Sequence, residues 1–347
     1  MLSARRARRV VRGLGRAVLY LSVYLSRVAA RAAMALAALS GDEQRIIFVQ
    51  LCNVLKPRVA VNLSSASHEL RVSTQALRQQ LKADYEAATA LCLQVGVRSC
   101  KALREAKRVS WHRKGPLSAA DLALLGTLGS VLPALERLYL SESSASPDGV
   151  QRLAERLVAG ALPAVTTLMI VKIRVGDAGA SALAAALGRG ALPRLKTLHL
   201  SNVSIGDAGL VALAPALRRR PALEELSLAY NNLIGDEGLA ALVAPPPPAG
   251  VPPPPSEGLT KLKALGLMGT QVTDTGCAAL TAALNSGALP ALERLYLRGI
   301  PASAAVKAAV HDAFDKLQHG RRHGDLEESG SGDEGMCRAL REVHHSS

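Results

Sequence analysis

Residues 221–238 read PALEELSLAYNNLIGDEG. Leu223, Leu226 and Leu228 are spaced L-x-x-L-x-L, Asn231 follows three residues on, and Gly235-Asp236-Glu237-Gly238 closes the stretch. The leucine spacing predicts one β-strand, the asparagine and glycine a turn, and the acidic residue ahead of an Ala/Leu run the start of a helix.

The same frame recurs at Leu135/Leu138/Leu140, Val165/Leu168/Ile170, Leu195/Leu198/Leu200, Leu262/Leu265/Leu267 and Leu292/Leu295/Leu297. Its central leucines, at 138, 168, 198, 226, 265 and 295, are 30, 30, 28, 39 and 30 residues apart, and the long interval holds the insert PPPPAGVPPPPSEG. A degenerate opening unit, Val109/Trp111 followed by Ser118-Ala119-Ala120-Asp121-Leu122, lies 29 residues ahead, making seven. Alternate strand residues face opposite ways, so the paired leucines point inward. The helices after the Gly-Asp turns are Ala/Leu-rich, as in Ala180–Leu187 and Leu210–Leu217, and Asp177, Asp207 and Asp236 are expected to cap the helix starts where they stand. No single unit hides both apolar faces; stacked units share one core.

At this level the chain resembles the leucine-rich repeats of the ribonuclease-inhibitor type over roughly residues 105–300, carried by the leucine frame and by Gly176-Asp177-Ala178-Gly179, Gly206-Asp207-Ala208-Gly209 and Gly235-Asp236-Glu237-Gly238. The resemblance implies an α/β fold, a curved parallel sheet lined by helices, fronted here by an all-helical N-terminal module. The family's asparagine is in frame only as Asn231; Ser143, Ile173, Val203, Thr270 and Ile300 stand elsewhere, which implies looser turn bonding and a less regular solenoid.

Aromatics make up 3% of the chain against 49% apolar residues, so burial rests on Leu, Ala and Val and a base-stacking surface is disfavoured. The net charge of +14 is unevenly placed: +8 over residues 1–39, +7 over 40–116 and −1 over 117–347. The repeats themselves are neutral, so the basic pI does not predict a nucleic-acid partner. Five cysteines without a C-x-x-C pair predict a reduced, intracellular, cytoplasmic chain. Two N-x-S sequons, at Asn62 and Asn202, matter only for a secreted one.

Residues 1–35 form a basic leader with Arg5, Arg9, Arg12, Arg16, Arg27 and Arg31 on one helical stripe opposite Val10, Leu14, Val18, Leu21 and Leu25. Its uncharged core, Ala17–Ser26, is too short to span a bilayer, so no transmembrane helix is expected. Three readings stay open: an organelle transit peptide, a secretory signal, or extra sequence ahead of a start at Met34. Residues 36–104 read as a helical module. Ile46, Ile47, Phe48, Leu51, Leu55 and Pro57, with Val59, Val61 and Ser67-His68-Glu69-Leu70, resemble an F-box, although Ser40 stands where that family has Pro and no Trp follows His68. That resemblance implies docking on the adaptor of a cullin ubiquitin ligase through those six residues; the alternative is a plain cap over the first repeat. Gln75–Leu103 is expected to continue as helix. The Pro-rich insert at 245–255 is expected to protrude in a polyproline-like conformation. A capping helix over 302–320 follows 105–301, and the acidic tail at 321–347 is expected to be disordered.

Chemistry-bearing patterns are sparse. His319 and His323 share an i, i+4 spacing without a third ligand, and no phosphate loop, nucleophile elbow or Cys/His signature occurs. No catalytic residue, metal or cofactor is expected. Function is expected on the concave face, where Arg137, Tyr139, Met169, His199, Glu225, Met268, Arg294, Tyr296 and Arg298 are the candidate contacts for a protein or peptide, with basic ends and a small or weakly apolar middle that includes Ala229, Ala264 and Gly266. The expected state is a monomer.

Overall fold

The structure, a computed structural model, describes residue 48 and residues 53–65, 68–111, 118–141, 148–243 and 258–320. The leader, Ile46, Ile47, Leu51, Cys52, the Pro-rich insert, His323 and the tail from 321 lie outside the described residues. The chain divides into two compact units, one running to Leu93 and including Val97–Lys101, the other made of Gln94–Gly96 and the chain from Ala102 onward.

The first unit holds α1 (Arg58–Ser64), α2 (His68–Ser73) and most of α3 (Gln75–Val95). Its buried apolar side chains include Phe48, Leu55, Ala60, Leu70, Leu81, Ala88 and Leu91. The helix expected to run from Gln75 to Leu103 is two helices. Gly96 takes a left-handed φ of 76°, and the Val97 amide turns back to the Cys92 carbonyl at 2.8 Å, a closure that glycine permits and that ends α3. α4 (Cys100–Glu105) then starts afresh. The buried Cys92 and Cys100 sulfurs are 4.0 Å apart, and burial, with Cys100 adding to it, pushes the Cys92 thiol up to about 12.

The second unit is a parallel sheet of seven strands in chain order: β1 (Arg108–Trp111), β2 (Arg137–Ser141), β3 (Thr167–Val171), β4 (Thr197–Ser201), β5 (Glu225–Ser227), β6 (Ala264–Gly266) and β7 (Arg294–Tyr296). Between them run α5 (Ala119–Leu128), α6 (Gly149–Arg156), α7 (Gly176–Gly188), α8 (Asp207–Arg218), α9 (Asp236–Val243) and α10 (Asp274–Asn285), and α11 follows at 304–320. The leucine frame sets the register: Val109, Leu138, Leu168, Leu198, Leu226, Leu265 and Leu295 are successive cross-strand partners. Leu138, Leu198 and Leu265 are fully buried, each contributing on the order of 2 kcal/mol by leaving water. The 39-residue interval leaves this register unchanged, because the extra residues fall between α9 and β6.

The Gly-Asp turns behave differently from the expectation. Each aspartate stands in the first turn of its own helix but accepts hydrogen bonds from the next repeat. Asp177 Oδ1 takes the Gly206 and Gly209 amides at 2.7 and 3.1 Å, and Asp207 Oδ1 takes those of Gly235 and Gly238 at 2.7 and 2.9 Å. Asp236 Oδ1 takes Thr273 and Gly276 at 2.8 and 2.9 Å, and Asp274 takes the Ser303 amide. The cap is therefore passed forward, because a side chain on the first turn of one helix faces the start of its neighbour, whose orphan amides need an acceptor. Gly209 and Gly238, the second glycines of the later motifs, follow from this: a Cβ on Gly238 would lie 2.6 Å from Asp207 Oδ1. Helix ends are met from the other direction. Arg189 Nη2 donates to the Ala154 and Leu157 carbonyls at the end of α6, and Arg220 donates to Leu187, Ala191 and Leu192 beyond α7.

Asn231 is fully buried and satisfied. Its Oδ1 accepts from the Val203 and Ile205 amides at 3.0 and 3.3 Å, and its Nδ2 donates to Leu200 and Leu228 at 2.7 and 2.8 Å. One repeat earlier, where Val203 stands in its place, the Val203 carbonyl accepts the Val175 and Gly176 amides at 2.9 and 3.1 Å. The main chain there supplies what asparagine supplies elsewhere. Asp207→Ala is expected to cost about 1–2 kcal/mol, the scale of a lost helix cap, read as a lower urea midpoint. Glu155→Ala removes only an exposed hydrogen bond with Gln151 and should change stability by about 0.5 kcal/mol or less; equal losses would contradict forward capping.

Candidate binding face

The sheet packs one face into the core and leaves the other half-exposed. Register lays the outward residues in rows. The first is Arg108, Arg137, Thr167, Thr197, Glu225, Ala264 and Arg294; the second is Ser110, Tyr139, Met169, His199, Ser227, Gly266 and Tyr296. Seven of the nine predicted contacts thus share two lines across the sheet. Met268 and Arg298 lie just past the ends of β6 and β7, at positions linked through the Tyr230 amide to Met268 and the Gly269 amide to Arg298.

Three positions expected to face outward, Ala229, Ala264 and Gly266, are buried, the first two at 2% and 8% exposure. At Ala264 the cause is its neighbours. Register puts Glu225, Ala264 and Arg294 side by side, and Arg294 Nη2 reaches Glu225 Oε1 at 2.6 Å over the short alanine. The hydrogen bond that Arg294 donates to Glu225 raises its guanidinium above the ordinary value. The end of the sheet at β7 is therefore not simply basic, since one of its two arginines is already matched.

The opposite end is built differently. Arg108 lies over the Tyr139 ring, 4.6 Å from its centroid, and its Nη2 is 3.2 Å from the tyrosine oxygen, to which it donates. Arg137 is its direct cross-strand partner, and both arginines are exposed. Arg108 was not among the predicted contacts, although the repeat places it at the same outward position as Arg137 and Arg294. Just before the strands, Glu224 sits between Lys196 at 2.7 Å and Lys263 at 3.4 Å, and the hydrogen bond from Lys196 holds its carboxyl below the ordinary range. Lys107 meets Glu136 in the same way at 3.1 Å.

Two further exposed side chains escaped the leucine frame. Tyr230 is 61% and Leu233 60% exposed, in the turn after β5, and Tyr230 holds a φ of 60° with its ring against Gly269. On the helix side, a groove of about 680 Å³ runs between α7 and α8, lined by small residues such as Ala184, Ala185 and Ala216 together with Arg219 and Arg220, away from every predicted contact. In the first unit, Phe48 and Leu55 are buried and Pro57 half-buried; Ile46, Ile47 and Leu51, the rest of the adaptor set, are outside the described residues. His319 Nδ1 lies 2.7 Å from its own helix's Asp315 carbonyl. Among the described residues no helix is long and apolar enough to cross a membrane.

The sequence model of a family described as Leucine Rich repeat matches residues 192–214, 221–243 and 258–280, which are the units carrying β4 to β6. These segments are leucine-rich repeats, and the fold they belong to is an α/β leucine-rich-repeat solenoid. No curated protein matches the chain. Among solved structures, internalin C2 of Listeria monocytogenes is similar at 19% identity, covering 65% of this chain and 88% of its own, with a TM-score of 0.36. Leiomodin-1 actin-binding site 2 shares 12% identity over 72% of this chain and 96% of its own, at 0.32. The yeast Rad7 and Elc1 complex shares 18% over 66% of this chain and 57% of its own, at 0.36.

His199 offers a direct probe of the face. Burial lowers its imidazole below the ordinary value of 6.5, against the opposing pull of Glu225, whose Oε2 is 3.9 Å from Nε2. A lowered folded value favours the neutral ring, so the stability it represents is present above pH 6.5 and is lost as pH falls below it. Glu225→Gln should lower the His199 midpoint further in an NMR titration; an upward shift would contradict this electrostatic reading.

Proposed function

We propose that the chain is a non-enzymatic interaction scaffold whose open sheet face binds a protein or peptide without a cofactor. The observation carrying this reading is the contrast between the two faces of one sheet. The inward row is uniformly apolar and buried from β1 to β6, whereas the outward rows change residue type at nearly every strand and include two tyrosines, a histidine and three arginines. Packing does not require that variety, and Tyr and Arg are the residue types enriched where partners bind. In ribonuclease-inhibitor-type repeats such a face is the concave one, and Arg137, Tyr139, Met169, His199, Glu225, Met268, Arg294, Tyr296 and Arg298 form the contact set.

Affinity capture with mass spectrometry tests it. Tyr139→Ala/Tyr296→Ala should deplete specific partners about tenfold or more, the scale of two central aromatic contacts, with unchanged unfolding. Undiminished recovery of every partner would remove the reading.

The separate compactness of the helical unit supports a second role, that of an F-box-like receptor delivering partners of the sheet face to a ubiquitin-ligase adaptor. Under it, adaptor recovery should survive Tyr139→Ala/Tyr296→Ala and be lost with Ile46→Ala/Ile47→Ala/Leu51→Ala. Absence of an adaptor from the captured wild-type complexes would end this role and leave the scaffold reading intact.

A further inference from the structure

The β1–β2 end of the open face carries two exposed guanidinium groups on neighbouring strands. Arg108 and Arg137 are parallel cross-strand partners on the same side of the sheet. Like charges placed directly opposite destabilise a sheet. Several other strand-entry charges in this unit are paired: Glu225 meets Arg294, Glu224 meets Lys196 and Lys263, and Glu136 meets Lys107. Among the described residues no carboxylate pairs with either Arg108 or Arg137. Arg108 is also held in place, stacked over Tyr139 and bonded to its hydroxyl, so its planar fork is oriented before any ligand arrives.

From this we infer that Arg108, Arg137 and Tyr139 form an oxyanion-binding subsite that receives an acidic side chain, carboxylate or phosphate, of a peptide lying along the sheet face. The inference rests on the scaffold reading and deepens it by giving the bound peptide a direction. Its anionic group sits over β1 and β2, where two guanidiniums without a carboxylate partner among the described residues offer N–H donors, and not over β7, where Glu225 already occupies Arg294. The middle strands then offer the peptide Thr167, Met169, Thr197 and His199, which carry no fixed charge of the same sign as the anion.

The test is fluorescence anisotropy of two labelled probes, a hexaglutamate peptide and a Gly/Ser peptide bearing one phosphoserine, with the full chain. Arg108→Ala/Arg137→Ala should weaken the bound probe about tenfold or more, the loss of charge-assisted hydrogen bonds. Arg156→Ala/Arg194→Ala, which removes the same charge from exposed positions elsewhere, should leave binding unchanged. Arg108→Lys/Arg137→Lys keeps the charge and should lose most of the affinity, because lysine lacks the fork. Preference for the phosphoserine probe assigns a phosphorylated partner, and preference for hexaglutamate an acidic one; either supports the subsite. Equal weakening by the two alanine pairs would reduce the effect to net charge and overturn it, as would no binding of either probe. If Tyr139→Ala/Tyr296→Ala depletes partners while Arg108→Ala/Arg137→Ala leaves both probes unaffected, the subsite falls and the scaffold stands. If the probes respond as expected while capture is unchanged, the scaffold falls and the anion subsite stands alone.

Discussion

The carboxylate that one repeat extends to the first amides of the next helix is the contact on which the stacking depends. A helix start leaves several N–H groups without partners, and a buried start without acceptors is costly. The residues at the starts of α7 and α8, Val175 and Gly206, supply no side-chain cap of their own. From α8 to α10 the acceptor is the aspartate of the preceding unit, and from Arg189 and Arg220 the backward bonds close the helix ends. Most helices of the stack are therefore completed at one end by a side chain of a neighbouring repeat, and nearest-neighbour coupling of this kind is what makes a stack of marginal units cooperative. The first unit confirms the logic by its exception. With no aspartate behind it, α5 carries its own capping box, Ser118 Oγ accepting from the Asp121 amide while Asp121 accepts from Ser118.

The forward cap also dictates residues that look unrelated to it. Gly209, Gly238 and Gly276 each sit where a methyl group would press on the incoming carboxylate, so glycine is demanded by closeness of approach and not by backbone conformation. Glycine is used for the opposite reason after α7 and α10. Gly190 and Gly287 hold φ of 90° and 72°, and the Ala191 and Ala288 amides return to Ala186 and Ala283, closing each helix in the same left-handed turn. The repeated Gly-Ala-Leu-Pro in both places is a stop signal within the sequence itself.

Strand positions and register were legible because the inward leucine frame has one solution: a slip by one residue would turn every leucine to solvent. The direction of aspartate capping was not, since it depends on which helix start lies beside which side chain, and that is a property of stacked units. The burial of Ala264 was missed for a related reason. Its exposure is decided by Glu225 and Arg294, 39 residues before and 30 after it, whose side chains meet above it. Of the face, the identity of the candidate residues could be read from the repeat, whereas their pairing could not. Leucine spacing gave Arg294 and Arg137 the same status, and only the cross-strand neighbours separate the matched arginine from the one facing Arg108.

That separation bears on where function resides. Several polar groups along the stack are closely provided for: Asn231 by five hydrogen bonds, Asp207 by paired amides, Glu224 by two lysines. Setting Arg108 opposite Arg137 leaves both arginines without a carboxylate partner among the described residues. Departures from local rules in folded proteins concentrate at functional sites, where the missing partner is supplied from outside. The backbone of every repeat being nearly the same, the outward side chains are free to vary without cost to the core, and a charge left unmatched at one end of the sheet gives an otherwise uniform surface a polarity that a bound peptide can follow.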